Sequence, residues 1–377
     1  MCGDKMIDGL ILVDDEIHHD HRVQGSIREA VVEVRVLDIR TCHQESLSIS
    51  QYLSLLKVVV FALCNVIRAR KIYGALGLSL SDNGVLSGFK AFLRWLSFSV
   101  RSATYIQNTY NDRGRIDFHA HDLYCAFVVT LLPTQMVRQF IYDSHEFQIH
   151  RNRKTGLFRV VAEHYLEQRI LNCCTELRLV NHAVIPTTRQ LYGDLKMPIK
   201  VIYNNQYSYQ PVVKTQSNRL AMVYVGKGTN GRRLHSLDAQ TCSRLQIDCF
   251  MYFLGNHPKD VENFPHWTLG SDEYLPEVLQ NMHSHRCLMW CCLRNFSYSY
   301  QMATPNKFFQ AIAVGMPIVA SQGSYLAEIV KQYDLGFILE DDDLSELTQV
   351  SLSPKFFEWV DNIAKFRDLL KENIIQI

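Results

Sequence analysis

The feature that most constrains the fold is an alternation of short apolar or β-branched runs with longer segments of helical period. In the first half we predict strands at Gly9–Val13, Glu33–Leu37, Ile116–His119, Phe140–Ser144, Glu176–Val180, Ala183–Ile185 and Lys200–Ile202. Segments of helical period follow most of these runs, among them Ser50–Tyr73 and Phe158–Asn172. Such an alternation is typical of a mostly parallel sheet that is covered by helices.

The alternation starts again after a loop-like stretch, YNNQYSYQPVVKTQS (Tyr203–Ser217), which we interpret as a linker. The strands predicted beyond it are Leu220–Val225, Ile247–Leu254, Cys287–Leu293, Pro317–Ala320 and Gly336–Leu339. The helices predicted between and around them are Arg232–Arg244, Leu275–Met282, Asn306–Val314 and Tyr325–Val330. The sequence therefore predicts an α/β protein with two successive doubly wound domains.

Composition agrees with two globular domains and excludes one class of partner. The chain has 377 residues, more than one core usually fills, and 47% of them are hydrophobic. Lys and Arg number 39 against 38 Asp and Glu, so no overall positive field exists to attract nucleic acid. We predict no nucleic-acid partner.

The 11 cysteines show no spacing that indicates a zinc site or a disulfide framework. Cys287, Cys291 and Cys292 fall in the apolar run CLMWCCL, where cysteine is typical of a protein core. An unpatterned set of thiols indicates a reducing cytosol, so we predict a cytoplasmic protein.

Two segments combine apolar and basic residues, although none reaches the roughly 20 apolar residues of a membrane span. They are SLLKVVVFALCNVIRAR (Ser54–Arg70) and FKAFLRWLSFSVRSA (Phe89–Ala103). Such segments either lie on an anionic membrane surface or pack as amphipathic helices on a sheet. We favour packing on a sheet and keep a peripheral contact with the inner face of the membrane as the alternative.

Acidic residues and histidines are concentrated after three predicted strands of the first half. They occur in DDEIHHDHRV (Asp14–Val23), HAHD (His119–Asp122) and DSHE (Asp143–Glu146). Any one of these could be a helix cap, but ligands of open parallel sheets bind beyond the carboxyl ends of the strands. We therefore predict a shared cleft floor, where such side chains orient hydroxyl groups or transfer protons.

The HxH pattern also raises the question of a metal site. If the strand continued, we expect His119 and His121 to point to opposite sides, which would prevent them from sharing an ion. We predict no metal.

The stretch YVGKGTNGRR (Tyr224–Arg233) contains G-x-G-x-x-G directly after a predicted strand, as dinucleotide-binding domains do. Such a domain also needs an acid at the end of the next strand, whereas Asp248 falls at the start of that strand. The glycines are accompanied by Lys227, Arg232 and Arg233, and cations on a glycine-rich loop are typical of a diphosphate site.

The most informative stretch is LRNFSYSYQMATPNKFFQAIAVGMPIVASQGSYLAEIV (Leu293–Val330). Pro305 precedes a predicted helix that begins near Asn306, and Lys307 adds charge at a helix start suited to phosphate. This stretch resembles the donor-binding segment of GT-B glycosyltransferases of retaining family 4, especially members that assemble polysaccharides. The resemblance extends to DDEIHHDHRV, HAHDL, YDSHE and YVGKGTNGRR, in the order of the family.

The resemblance implies two Rossmann-like domains that face a central cleft, with boundaries 1–203 for acceptor binding and 204–350 for donor binding. Helices in 351–377 are expected to cross back to the N-terminal domain. It implies transfer of a sugar from a nucleotide diphosphate donor to a glycan or lipid-linked acceptor, in capsule or lipopolysaccharide biosynthesis. Neither a cofactor nor a metal is expected.

Site residues are expected on both domains. The diphosphate would contact Lys227, Arg232, Arg233, Asn306 and Lys307, and the donor sugar or ribose would contact Gly226, Pro305, Gln310 and Glu328. Candidate catalytic residues are His119, His121, His145 and Glu146, and the acceptor side is expected to include Asp14, His18 and Arg22. We assign no firm catalytic base.

One departure from the family pattern concerns two glutamates eight positions apart, which many members carry. Met302 and Gln310 occupy those places, and a neutral amide binds a ribose hydroxyl less strongly than a carboxylate does. A non-catalytic nucleotide-sugar binder is therefore one alternative function, and an NAD-linked oxidoreductase is a less favoured one.

Overall fold

The structure is a computed structural model of the chain, and it describes most of the sequence. The described residues are 9–13, 34–42, 53, 56–61, 64–65, 88–146, 157–203, 209–210, 215–228, 230–253, 266–269, 282–294, 297–372 and 375. The chain divides into two compact units, Met1–Ile202 with Ser297–Ser299, and Tyr203–Phe296 with Tyr300–Ile377.

The described strands of the first unit form one parallel sheet. They are β1 (Gly9–Val13), β2 (Val34–Asp38), β3 (Ile116–His121), β4 (Val137–Asp143), β5 (Glu176–Leu179) and β6 (Ile199–Val201). Their order in the sheet is β2-β1-β3-β4-β5-β6. The register pairs His121 with Asp143, so the carboxyl ends of β3 and β4 are level with each other.

Described helices precede β3, β4, β5 and β6 and cover the sheet, as parallel pairing requires. They are α1 (Phe89–Tyr110), α2 (Asp122–Val129), α3 (Leu157–Leu171) and α4 (Val184–Tyr192). In α1, Phe92, Leu96 and Val100 recur at helical spacing and are at most 1% exposed. The segment Phe89–Ala103 is therefore an amphipathic helix whose apolar face is packed, and a contact of its basic face with a membrane stays a prediction.

The second unit repeats the same plan with a second parallel sheet. Its strands are β7 (Leu220–Gly226), β8 (Ile247–Phe253), β9 (His266–Leu269), β10 (Arg286–Trp290), β11 (Ile318–Ser321) and β12 (Gly336–Leu339). Their order is β12-β11-β10-β7-β8-β9, so β7 and β10 are central and their carboxyl ends are adjacent. Near-continuous apolar sequence in β7 and β10 fits strands that are covered on both faces.

The described helices of the second unit have at most nine residues, except for the last one, which has 17. They are α5 (Ala239–Leu245), α7 (Asn306–Val314), α8 (Tyr325–Tyr333), α9 (Ser345–Ser351) and α10 (Lys355–Lys371), and the short helix α6 (Tyr298–Gln301) begins in the segment Ser297–Ser299 of the first unit. The ring of Phe366 in α10 packs edge-on against Phe308 in α7, with 6.1 Å between centroids. Helix α10 thus packs on the core of the second unit, and the expected crossing of the terminal helices to the N-terminal domain stays a prediction.

The predicted α/β alternation is confirmed, and the differences have local causes. The predicted strand Ala183–Ile185 is wrong, because the chain there enters α4. The Oδ1 atom of Asn181 accepts a hydrogen bond from the Val184 amide at 3.3 Å, and Pro186 sits in the first turn, which initiates a helix despite the β-branched residues.

The predicted helix Arg232–Arg244 is only partly confirmed. Arg233 has a φ of 51°, which interrupts any helix, and Asp238 caps α5 by accepting a hydrogen bond from the Thr241 amide at 2.8 Å. The strand β9 was not predicted, and the predicted helices Ser50–Tyr73 and Leu275–Met282 fall largely outside the described residues.

None of the described helices is both long enough and apolar enough to cross a bilayer.

The described cysteines are free thiols, and Cys287, Cys291 and Cys292 are at most 2% exposed. Burial raises the pKa of each of these three thiols to about 12, so they are neutral core residues, as the sequence predicts.

Close backbone packing between β11 and β12 generates a testable prediction at Gly336, which is paired with Ile318. A Cβ atom at Gly336 would lie 1.9 Å from the carbonyl oxygen of Ile318. We expect Gly336→Ala to lower the free energy of unfolding by more than about 3 kcal/mol, because overlapping backbone atoms force the strands apart. Denaturant unfolding measures this difference.

Gly114→Ala is the matched control, because a Cβ atom there meets no atom within 4 Å although φ is 76°. Its cost should be limited to a backbone penalty of roughly 1–3 kcal/mol, because φ 76° with ψ −145° is a conformation that nearly excludes residues other than glycine. Equal losses for the two variants would contradict a steric role for Gly336.

Candidate functional site

The ammonium group of Lys307, in the first turn of α7, is buried in the second unit. The residue is 5% exposed, and its Nζ atom lies 4.1 Å from the centroid of the Tyr224 ring. Within the part of the chain that the structure describes, this Nζ atom has no hydrogen-bond partner. Burial, followed by the positive charge of Arg232, lowers the pKa of Lys307 to about 7.

Arg232 is the second cation of this site and comes from the loop after β7. Its guanidinium carbon lies 5.4 Å from the centroid of the Tyr300 ring, and its buried Nε has no hydrogen-bond partner among the described residues. The indole of Trp290, at the end of β10, donates a hydrogen bond to the Arg232 carbonyl at 3.0 Å. The core therefore fixes the backbone that carries this cation.

The start of α7 adds the positive end of a helix to the same region. Pro305 precedes the helix with extended backbone, and the Phe308 amide donates to the Pro305 carbonyl at 2.8 Å. First-turn amides of a helix point outward along its axis and favour anions. Lys307, Arg232 and this helix start together form what we call the cationic centre.

The other two predicted diphosphate ligands are placed differently. Arg233 donates to Asp342 at 2.7 Å and to Ser321 Oγ at 3.3 Å. Although partial burial raises the pKa of Asp342, hydrogen bonds from Ser236, Arg233 and His235 hold it well below its ordinary value. Arg233 is thus engaged in an ion pair inside the unit.

Lys227 is exposed, and its carbonyl accepts a hydrogen bond from the Tyr224 hydroxyl at 2.6 Å. Of the three loop cations, Arg232 is therefore the one placed beside the buried ammonium group. Phosphate contacts of Lys227 and Arg233 stay predictions.

The residues predicted to hold the sugar and ribose are spread over several elements. Gly226 ends β7 with a φ of 134°, and Gln310 lies one turn after Asn306 in α7, half-buried. Asn306 and Glu328 are exposed, the latter in the first turn of α8. Their roles stay predictions.

In the first unit, imidazoles gather around one buried carboxylate. The Nε2 atom of His119 is 3.3 Å and the Nδ1 atom of His121 is 3.8 Å from Asp143 Oδ2. His145 Nε2 lies 2.7 Å from His121 Nδ1 and 4.0 Å from Asp143 Oδ1. We call these four residues the histidine cluster.

The expectation that His119 and His121 point to opposite sides is wrong. Strand β3 continues through His121, and residues two positions apart in a strand share a face. Their rings are stacked with centroids 4.6 Å apart. The geometric objection to a shared ligand of these histidines therefore does not hold.

The turn after β4 is held in place by Asp122. Its Oδ1 atom accepts a hydrogen bond from the His145 amide at 3.0 Å, while Asp122 itself has a φ of 63°, which is uncommon for a residue with a Cβ atom. Such backbone strain is typical of sites that need a fixed geometry.

Glu146 is half-buried beside the cluster, and its carbonyl accepts from Ser144 Oγ at 2.9 Å. A catalytic role for it stays a prediction. The predicted acceptor-side residues Asp14, His18 and Arg22 lie outside the described residues.

Comparisons with known proteins support the fold. No protein-family model matches the sequence, and no match was found among curated proteins. Among solved structures, HepE from Anabaena in complex with UDP has a TM-score of 0.51 at 12% identity, covering 97% of this chain and 91% of HepE. HepE in complex with UDP and glucose matches equally, with a TM-score of 0.51.

Two further solved structures are similar at low identity. The N-terminal domain of Candida albicans trehalose-6-phosphate phosphatase has a TM-score of 0.54 at 9% identity, covering 96% of this chain and 85% of that one. TarM has a TM-score of 0.51 at 12% identity over 74% of this chain, which spans 57% of TarM. These likenesses confirm the two-domain α/β fold of GT-B type, and the family 4 subgroup stays a prediction.

Sequence reasoning missed the aromatic residues under the cations. Tyr224 lies within the apolar strand β7 and Tyr300 within α6, and each ring faces one cation of the cationic centre. A tyrosine next to the glycine-rich loop was the available signal. Asp143 was noticed only as part of DSHE, although its register with His121 makes it the centre of the histidine cluster.

The buried ammonium group makes a prediction about stability. The folded pKa of Lys307 is below the unfolded value of 10.5, so the unfolded state binds more protons between about pH 7 and 10.5, and stability rises with pH over that window. We expect Lys307→Met to raise the free energy of unfolding at pH 7 by up to roughly 5 kcal/mol. The gain should shrink as pH rises towards 9.5, which denaturant unfolding at several pH values measures.

Lys331→Met is the matched control, because Lys331 is exposed on α8. It should leave stability nearly unchanged at every pH. A Lys307→Met variant that is less stable than the parent protein would show that the ammonium group stabilises the fold.

Proposed function

We propose that this protein is a glycosyltransferase that moves a sugar from a nucleotide diphosphate donor to a glycan or lipid-linked acceptor. The cationic centre would hold the donor diphosphate in the second unit, and the first unit would bind the acceptor. The proposal includes a retaining reaction in surface polysaccharide biosynthesis, capsule or lipopolysaccharide, on the cytoplasmic side of the membrane.

The observation that carries this proposal is the burial of Lys307 beside Arg232. An ammonium group that is removed from water and repelled by a half-buried guanidinium group destabilises a fold unless an anion joins them. A diphosphate supplies two negative groups that could accept hydrogen bonds from Lys307 Nζ and Arg232 Nε. These atoms have no hydrogen-bond partners among the described residues.

The same arrangement suits the chemistry of sugar transfer. When the bond between the sugar and the diphosphate breaks, negative charge builds up on the departing nucleotide. Cations and helix-start amides fixed in a poorly hydrated site stabilise such charge strongly, because they need no reorganisation during the reaction. Lys307, Arg232 and the start of α7 would do so without a metal ion at the diphosphate.

The remaining donor contacts in the proposal come from the family resemblance. Pro305 and Gly226 would let backbone approach the donor, Gln310 would bind the ribose, and Glu328 would bind the sugar. UDP is the first nucleotide to test, because HepE, which has a similar fold, was solved with UDP bound.

An alternative is a nucleotide-sugar binder without turnover, which Met302 and Gln310 favour. Neither side chain carries the charge with which a carboxylate would hold a hydroxyl group. A dinucleotide enzyme is less well supported, because Asp248 is the second residue of β8 and pairs with His285 at 2.9 Å and Arg219 at 2.7 Å. It therefore lies at the amino end of β8, away from the glycine-rich loop.

Nucleotide binding should depend on the protonation of Lys307. A bound diphosphate favours the charged ammonium group, so affinity should fall about tenfold for each pH unit above pH 7, until the pKa of the complex is reached. We expect calorimetric titration of the full chain with UDP, GDP, CDP and ADP to find one ligand with this profile. NADH, added in parallel, should not bind.

Lys307→Met and Lys331→Met again form a matched pair. The first should bind the nucleotide at least about tenfold more weakly at pH 7 and with a flat pH profile, whereas the second should behave like the parent protein. Binding that is unaffected in Lys307→Met, or tighter for NADH than for any nucleoside diphosphate, would overturn the proposal.

The role of Gln310 can be tested by restoring the carboxylate of the family pattern. If the side chain reaches the ribose, Gln310→Glu should strengthen donor binding by about tenfold, since charged hydrogen bonds are stronger than neutral ones. Gln332→Glu, on the exposed surface of α8, is the control for added negative charge. Equal effects of Gln310→Glu and Gln332→Glu on donor binding would exclude a ribose contact of Gln310. Separately, turnover of the donor by the parent protein would exclude the non-catalytic alternative.

A further inference from the structure

The histidine cluster of the first unit has the composition and spacing of a metal site, and the diphosphate chemistry does not use it. The ligand atoms of His119, His121 and Asp143 all lie within 4.8 Å of one another. We infer that these three residues bind a divalent transition-metal ion, with Zn²⁺ as the first candidate. This site goes beyond the proposed function, which requires no metal.

The distances between the ligand atoms are close to those of a bound ion. Two atoms that each lie about 2.0–2.2 Å from one tetrahedral Zn²⁺ are about 3.3–3.5 Å apart. His119 Nε2 is 3.3 Å and His121 Nδ1 is 3.8 Å from the same oxygen, Asp143 Oδ2. All three ligand atoms lie within 4.8 Å of one another, so side-chain shifts of up to about an ångström would bring them onto one ion.

The ligand types indicate which ions would bind. Imidazole nitrogen suits Zn²⁺, Co²⁺, Ni²⁺ and Fe²⁺, whereas Mg²⁺ and Ca²⁺ prefer sets of oxygen atoms. Two histidines with one carboxylate leave at least one coordination position for a further ligand. His145 Nε2 lies 2.7 Å from His121 Nδ1, closer than two ligands of one ion, so this hydrogen bond would have to break when His121 binds the ion.

Burial and charge favour a cation at this place. The carboxylate side chain of Asp143 is 1% exposed, and a negative charge buried so deeply is stabilised by a positive partner. The side chains of His119 and His145 keep 11% and 17% of their surface exposed, so an ion can reach the cluster from solvent.

The backbone around the cluster is fixed before any ion binds. Strand pairing sets His121 opposite Asp143, and Asp122 Oδ1 accepts the His145 amide at 3.0 Å. The Ser144 amide donates to the Arg178 carbonyl at 3.0 Å, which holds the residue after Asp143. Groups that orient metal ligands in this way raise metal affinity. An ion here could take a water molecule or a sugar hydroxyl as its remaining ligand.

The test uses the full chain after treatment with a chelator. Zn²⁺ is titrated against a chromophoric competitor, and Co²⁺ is added separately as a spectroscopic probe. We expect one Zn²⁺ per chain, visible absorption bands from Co²⁺ in a histidine and carboxylate environment, and a rise in melting temperature with Zn²⁺.

Asp143→Asn and His119→Ala should each weaken Zn²⁺ binding by at least about 100-fold and abolish the Co²⁺ bands. His283→Ala is the control, because His283 is exposed in the second unit and its removal should change neither signal. Circular dichroism verifies that each variant is folded, and His119→Ala retains a test if Asp143→Asn does not fold. The inference is overturned if the parent protein binds no stoichiometric Zn²⁺, if these variants bind like the parent, or if His283→Ala loses binding equally.

Discussion

The desolvation of one ammonium group defines the candidate site of the second unit. Lys307 is placed in the first turn of α7 with its Nζ over the ring of Tyr224, so its charge is removed from water. Arg232, at the end of the neighbouring loop, adds repulsion, which also lowers the pKa of Lys307. The unit therefore keeps an unfavourable charge arrangement that an anion relieves, and such a cost is typical of a binding site.

The two units present opposite chemistry at the carboxyl edges of their sheets. In both, side chains gather at the carboxyl ends of adjacent parallel strands, where this architecture leaves room for ligands. The second unit gathers cations and a helix start, which suit a phosphate group. The first gathers imidazoles around the buried carboxylate of Asp143, which suit a metal ion or the hydroxyl groups of a sugar. One scaffold repeated along the chain thus carries two chemically different groups of side chains.

Sequence patterns predicted regular elements well where one local signal dominated. The predicted bounds are correct for the strands Gly9–Val13 and Gly336–Leu339, where apolar residues are continuous or nearly so. They are also correct for the helix Asn306–Val314, because Pro305 precedes this helix and Gly315 follows it. Prediction failed where capping opposed propensity, as at Val184, whose amide is held by Asn181. It also failed at Arg233, whose left-handed backbone interrupts the expected helix.

The sequence by itself determined the α/β class, the two-domain plan and the segments that carry charged and polar residues. Those features depend on the periodicity of apolar residues within short segments and on composition, and both are properties of the amino-acid sequence alone. Only the tertiary structure decided that Arg232 lies near enough to Lys307 to lower its pKa, that Arg233 is paired with Asp342, and that His121 lies opposite Asp143. Strand register and side-chain burial decide these contacts, and both arise from packing between residues that are distant in the chain.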